Sequence, residues 1–275
     1  MHRPGPSPRP HARLVAGALL AVALVSACDA TPSADDAASP SSAPTSAAPA
    51  TSDAPAPDGT SSPAPEAPTA KPVAVRAGDV TLTLTAPDAT ADPGRDGTAT
   101  VTVDPGTATG TGSGTGPAGA AAALSAAPGA TFTVHTDGSA TVEQDGVAVG
   151  GLTSPTGAAR FRLVDPGVLA IDGDAPTSTT LGTTGVQDAA WGDREGGDSL
   201  AVTPTDWARR AGQAGVDVVW AGLVADDPAL DTPTMHDQLV CHALGAPDKA
   251  TWNLEPWRPD VGLLQVLAAR CNPTA

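Results

Sequence analysis

Between residues 72 and 175 the hydrophobic positions alternate over short distances, as they do in half-buried strands. Val80, Leu82 and Leu84 share one face of the segment VTLTL, and similar runs predict strands at Val73–Val75, Thr98–Val103, Thr131–His135, Ala140–Glu143, Phe161–Val164 and Val168–Ile171. Turn signals separate most of them: Asp92-Pro93-Gly94, Asp104-Pro105-Gly106, Asp137-Gly138, Asp145-Gly146 and Asp165-Pro166-Gly167. The pattern is that of a small antiparallel sheet. Gly106–Gly129, nearly all Gly, Ala, Thr and Ser, reads as a floppy insertion in it. His135 shares a strand face with Thr131 and Thr133, opposite Phe132 and Val134, and so is expected to be solvated.

From about Gln187 the period changes. A strand is predicted at Ser199–Val202, and Thr203-Pro204 then opens a helix that carries Trp207, Arg209 and Arg210. The apolar run Val216–Val224 fits either a buried helix or a strand, and is read as a helix. Thr232-Pro233 starts a helix over Thr234–Leu244, with Gly245 as its stop, and Asp260 caps a last one over Val261–Arg270. On a helical wheel Met235, Leu239, Ala243, Val240 and Leu244 form one arc that includes His236. Asp237, Gln238 and Cys241 lie opposite, with His242 at the edge. His236 is therefore expected inside and His242 outside. The two histidines diverge by about 120°, and no zinc-type spacing exists, so neither a metal nor another cofactor is expected.

Composition narrows where a core can form. The chain has two phenylalanines, no tyrosine and 29 prolines, and its five tryptophans all lie between Trp191 and Trp257. The sheet is thus expected to have a thin core, and the last third a strong one. The fold class is α+β: a disordered N-terminal tether, a small antiparallel β-rich region (72–175, with the insertion at 106–129), and a compact C-terminal α+β domain (187–275). A net charge of −16 disfavours nucleic acid as a partner.

Residues 1–28 have the basic, then apolar, organisation of an export signal, too short to span a bilayer permanently. They end Val25-Ser26-Ala27-Cys28, which resembles the lipobox of bacterial lipoproteins, so Cys28 is the expected site of acylation and membrane anchoring. Residues 29–71, rich in Pro, Ala, Ser and Thr, lack the apolar bulk to fold and read as a disordered tether. The expected location is the extracytoplasmic face of the cell membrane. In that oxidising setting the two remaining cysteines, Cys241 and Cys271, most simply pair. A Cys241–His242 nucleophile fails on direction, since adjacent helical side chains diverge by about 100°.

The densest chemistry is Trp252-Asn253-Leu254-Glu255-Pro256-Trp257-Arg258-Pro259. One reading places both indoles in the core while Glu255 and Arg258 pair. The other makes a rigid loop presenting Trp252, Asn253, Glu255, Trp257 and Arg258 to a cell-wall component or envelope protein. A small extracytoplasmic hydrolase or toxin-like enzyme using His242 with Glu255 or Asp237 is the catalytic alternative. Gly197-Asp198-Ser199-Leu200 spells the serine block of GDSL esterases, but their Asp-x-x-His is missing and Ser199 is better read as a strand residue.

This octapeptide, with Trp191, Ser199-Leu200, Val202-x-Pro204-Thr205, Trp220, Met235-x-Asp237-Gln238, Cys241-His242, Lys249 and Cys271-Asn272-Pro273, resembles a family of actinobacterial secreted and lipoprotein C-terminal domains, domain of unknown function 2599. The resemblance covers about the last 85 residues. It implies no activity and no catalytic residue.

Overall fold

The computed structural model describes residues 72–105 and 120–274. The expected export signal, Cys28, the expected tether and residues 106–119 of the Gly/Ala/Thr segment lie outside the described residues. The described chain contains antiparallel sheets throughout and is richer in strand than in helix.

Two antiparallel sheets come first. One has the order β1 (Val73–Ala77), β2 (Val80–Thr85), β5 (Ala122–Ser125), β10 (Val168–Asp172), β9 (Arg160–Asp165). The other runs β3 (Ala89–Pro93), β4 (Ala99–Val103), β11 (Thr177–Gly182), β8 (Val147–Leu152), β7 (Ala140–Gln144), β6 (Ala130–Val134). Their inward residues form one cluster in which Leu82, Leu84, Leu124 and Leu169 of the first sheet join Val101, Phe132, Leu152 and Leu181 of the second. Period-2 alternation on each strand produces this sandwich. Asp145 and Gly146, both at positive φ (53° and 79°), make the two-residue turn between β7 and β8, the arrangement that matches strand twist.

This region exceeds the sequence expectation in two ways. Among the described residues it has eleven strands rather than seven: β3, β5 and β11 are rich in Ala and Thr and carry little hydrophobic signal, and Gly150-Gly151 interrupts the Val147, Val149 alternation of β8. And Ala122–Ser125, assigned above to the floppy insertion, is a central strand, paired with β2 on one side and β10 on the other. Its small buried side chains, Ala122 and Ala123, suit the middle of a tightly packed sheet, where sequence sees only low complexity. The core is built from many aliphatic residues, so the scarcity of aromatics does not leave it thin.

A third sheet, β12 (Val186–Arg194), β13 (Gly197–Pro204) and β14 (Trp252–Leu254), belongs to the C-terminal region. Helices α1 (Asp206–Arg210), α2 (Gly212–Asp226), α3 (Pro233–Gly245) and α4 (Leu263–Ala268) complete it, with a 3-10 turn at Pro228–Leu230. Thr232 caps α3 through Met235 N with Pro233 in the first turn, as expected, whereas Thr203-Pro204 ends β13 and it is Thr205 that caps α1, through Ala208 N. The last helix differs from expectation: Gly262 at φ 77° precedes it and no side chain caps it, so Asp260 and Val261 stay outside. Leu200, Val202, Trp207, Val219, Leu239 and Trp252 form its core.

The helices dock on the outer face of the second sheet where side chains are small. Gly182, Gly151 and Thr141 lie side by side across β11, β8 and β7. A Cβ on Gly182 would overlap the Trp207 indole, and one on Gly151 would lie 2.8 Å from Ala214 Cβ. Trp207 Nε1 donates to Thr180 O at 3.2 Å. Helix α2 has no capping side chain of its own, and the β6–β7 turn supplies one. Asp137 Oδ2 accepts from Gln213 N (2.7 Å) and Ser139 Oγ accepts from Ala214 N (3.2 Å), satisfying two of the helix's free N–H groups.

This docking corrects the reading of His135. Its Nε2 lies 2.7 Å from Thr141 Oγ1 and 3.1 Å from Asp217 Oδ2, with 16% of its side chain exposed. Thr133 on the same face stays exposed, but the His135 ring meets Asp217 of α2, a contact no local pattern reveals. Hydrogen bonding to Asp217 raises the histidine pKa above its ordinary value against the lowering effect of burial.

Candidate functional site

The C-terminal motif folds around one structural problem, the open edge of the third sheet. Strand β14 pairs with β13 along one side only (Leu200 with Leu254, Ala201 with Asn253, Val202 with Trp252). Its other side would leave buried backbone groups unpaired. Helix α3 solves this with two side chains one turn apart. Gln238 accepts from Glu255 N and donates to Glu255 O, both at 3.0 Å, and His242 Nε2 donates to Asn253 O at 2.9 Å. An i, i+4 pair on a helix thus reads an i, i+2 pair on a strand edge.

Both of those side chains are buried, Gln238 fully and His242 at 3% exposure. The wheel had placed Gln238 and Cys241 on a polar side and His242 outward. That expectation fails because α3 is covered on two sides, by the tryptophan-rich core on one and by β14 and α4 on the other. His236 is half-buried, its ring 4.9 Å from that of Trp220 in an edge-on contact, while Leu244 is exposed. Burial lowers the His242 pKa, so the ring is neutral, with its proton on Nε2 and its Nδ1 lone pair without a protein partner.

The loop after β14 is held by charge. Arg258 and Glu255, 3% and 1% exposed, form an ion pair through Nε and Oε2. The same guanidinium donates to Glu195 Oε2 (2.8 Å), Asn272 Oδ1 (3.1 Å) and Pro273 O (3.2 Å). It therefore joins three distant parts of the chain: the turn between β12 and β13, the loop, and the residues after Cys271. Glu255 Oε1 and Trp252 Nε1 have no protein partner. Cys241 and Cys271 are disulfide-bonded, with Cα atoms 5.5 Å apart, and pack with Val266.

The two tryptophans of the motif separate. Trp252 is buried in the core, 5.4 Å from the Arg209 guanidinium, which in turn donates to the carbonyls of Lys249 (2.6 Å) and Ala250 (2.9 Å). Sequence reading had placed Arg209 on a helix without giving it this role. Trp257 is 43% exposed. Its indole lies on Gly197, where any Cβ would overlap it, and 4.6 Å from the Arg258 guanidinium carbon. Trp191, on the fully exposed middle of β12, is 51% exposed.

The structure brings Asn253, Glu255, Arg258 and His242 together but turns their polar atoms inward. Asp237 is half-buried and makes no hydrogen bond or ion pair among the described residues. Ser199 is buried within β13, 3.5 Å from Asn253 Nδ2. Among the described residues no group of three His, Cys, Asp or Glu side chains is placed to hold a metal, and no helix is long and apolar enough to cross a membrane.

Comparison with known proteins agrees with the motif. A family model described as a protein of unknown function (DUF2599) matches residues 186–274. Uncharacterized proteins of Mycobacterium tuberculosis and Mycobacterium bovis are each 35% identical over 142 residues, 49% of this chain and 94% of theirs. One of Mycobacterium leprae is 39% identical over 61 residues, 21% of this chain and half of its own length. No solved structure matches. The residues that secure the β14 edge and its loop, Gln238, His242, Glu255, Arg258 and the Cys241–Cys271 pair, all lie within the matched stretch, and the chain belongs to the DUF2599 family of proteins of unknown function.

Proposed function

We propose that this protein is a lipid-anchored module on the extracytoplasmic face of the cell membrane, which binds a cell-wall component or envelope protein and performs no catalysis. The lipobox at Cys28 and the Pro/Ala/Ser/Thr tether support the location. The observation that carries the binding role is the use made of the motif. Its ionisable groups, His242, Glu255 and Arg258, are spent inside on holding the loop, and what the loop offers outward is an indole fixed in place, Trp257. A rigid aromatic ring loses little conformational freedom on binding. Burial of His242 and Glu255 also supports binding over hydrolysis, because neither can reach a substrate.

The test is retention of the purified full chain on cell-wall and envelope-protein fractions. Trp257→Ala should reduce retention at least tenfold while changing stability by no more than about 1 kcal/mol, as for a partly exposed residue. Trp252→Ala should instead cost roughly 3–5 kcal/mol. Undiminished retention of Trp257→Ala would refute the binding surface, and a mature N-terminus without acyl chains on Cys28, by mass spectrometry, would refute the anchor.

A further inference from the structure

Helix α2 is apolar nearly all round. Val218, Val219 and Leu223 pack into the tryptophan core, and Val218 is also the inner end of a second stripe, Val218, Ala221, Gly222 and Ala225, spaced i, i+3, i+4 and i+7. That stripe is one wall of an open cavity of about 780 Å³. Val142, Ala148 and Val149 of the second sheet make another wall, and Val80 and Leu82 of the first sheet, with Asp79 in the turn before them, a third. The volume is in the range of small-molecule sites. The lining residues are almost all small or aliphatic, and none is aromatic. Their only ionisable groups are the exposed carboxylates of Asp79 and Asp226, neither of which makes a hydrogen bond or ion pair among the described residues.

We propose that this cavity binds one linear aliphatic chain ending in an ammonium group. Aliphatic walls without rings match a flexible hydrocarbon, and two free carboxylates in a lining that holds no lysine or arginine favour a cationic head and repel an anionic one. The site is separate from Trp257, so its success or failure is independent of the binding role given to the motif.

The experiment is calorimetric titration of the full chain with n-decylammonium, n-hexylammonium and n-decanoate, all below micelle-forming concentrations. Decylammonium should saturate a single site, and hexylammonium should bind on the order of 100-fold more weakly, since each methylene is worth about fourfold in affinity. Decanoate should bind at least tenfold more weakly than decylammonium, and Asp79→Asn with Asp226→Asn should remove that preference. Gly222→Leu should fill the cavity and weaken decylammonium at least tenfold. It should fold, because a Cβ there meets only Val186 Cγ2, at 3.9 Å. Trp257→Ala should leave the titration unchanged. Equal binding of decanoate, an unaltered Gly222→Leu titration with an intact melting curve, absence of any saturable site, or multiple sites following net charge alone would each overturn the proposal.

Discussion

Arg258→Ala tests the account of the motif most directly. The arginine side chain is fully buried and its partner Glu255 is 1% exposed, so the substitution strands a carboxylate in the interior. Glu255 Oε1 already lacks a protein partner, and Oε2 would lose the guanidinium. Removing one member of a buried ion pair costs about 3–5 kcal/mol, mostly through the uncompensated charge left behind. A domain of ordinary stability, about 5–15 kcal/mol, would lose a large share of it. The links to Asn272 and Pro273 would go too, loosening the chain beyond the disulfide. Urea unfolding followed by tryptophan fluorescence reads this directly, because every tryptophan lies between Trp191 and Trp257. Arg258→Lys should fall between wild type and alanine, since an ammonium cannot serve Glu255, Glu195 and Pro273 at once. Arg258→Met with Glu255→Gln should cost less than Arg258→Ala, because no charge is left unpaired. If Arg258→Ala stays within about 0.5 kcal/mol of wild type, the ion pair does not hold the loop and the geometric argument fails.

Three further outcomes are expected. The His135 pKa is raised by its Asp217 hydrogen bond, so its contribution is full below the unfolded value near 6.5 and is lost as pH rises through the folded value. His242, held neutral by burial with Lys249 and Arg194 adding a smaller lowering effect, acts oppositely: stability falls as pH drops from 6.5 toward its folded value. Urea midpoints between pH 5 and 9 should show the alkaline loss vanish in His135→Asn and the acid loss shrink in His242→Gln; unchanged profiles would contradict both assignments. Asp137→Ala removes the borrowed cap of α2 and should cost about 1–2 kcal/mol, measured by thermal melting, with no loss if α2 does not depend on that turn. Reducing Cys241–Cys271, which closes a separation of 30 residues, should cost roughly 3–4 kcal/mol on the chain-entropy model, and equal midpoints with and without reductant would refute it.

Local chemistry was enough to read the alternating strands around Leu82, Val101 and Phe132, the Thr232-Pro233 helix start, the Asp145-Gly146 turn and the Cys241–Cys271 pair. Each rests on side-chain period, a fixed φ or a count of thiols, and none needs a distant partner. Strands β5 and β11 escaped because Ala and Thr carry almost no hydrophobic signal, and β8 because Gly150-Gly151 interrupts its alternation; all three are strands only because neighbours on both sides pair with them. The motif was legible as dense chemistry, but not in which direction it points. A helical wheel assumes one wet face, whereas α3 has a core on one side and a strand edge on the other, so Gln238 and His242 are drawn inside to pair with backbone. The same holds for His135 and for Arg258. Their partners lie 82 and 63 residues away, on Asp217 and Glu195, and a contact across that separation is decided by tertiary packing, which one residue's neighbours in sequence do not encode.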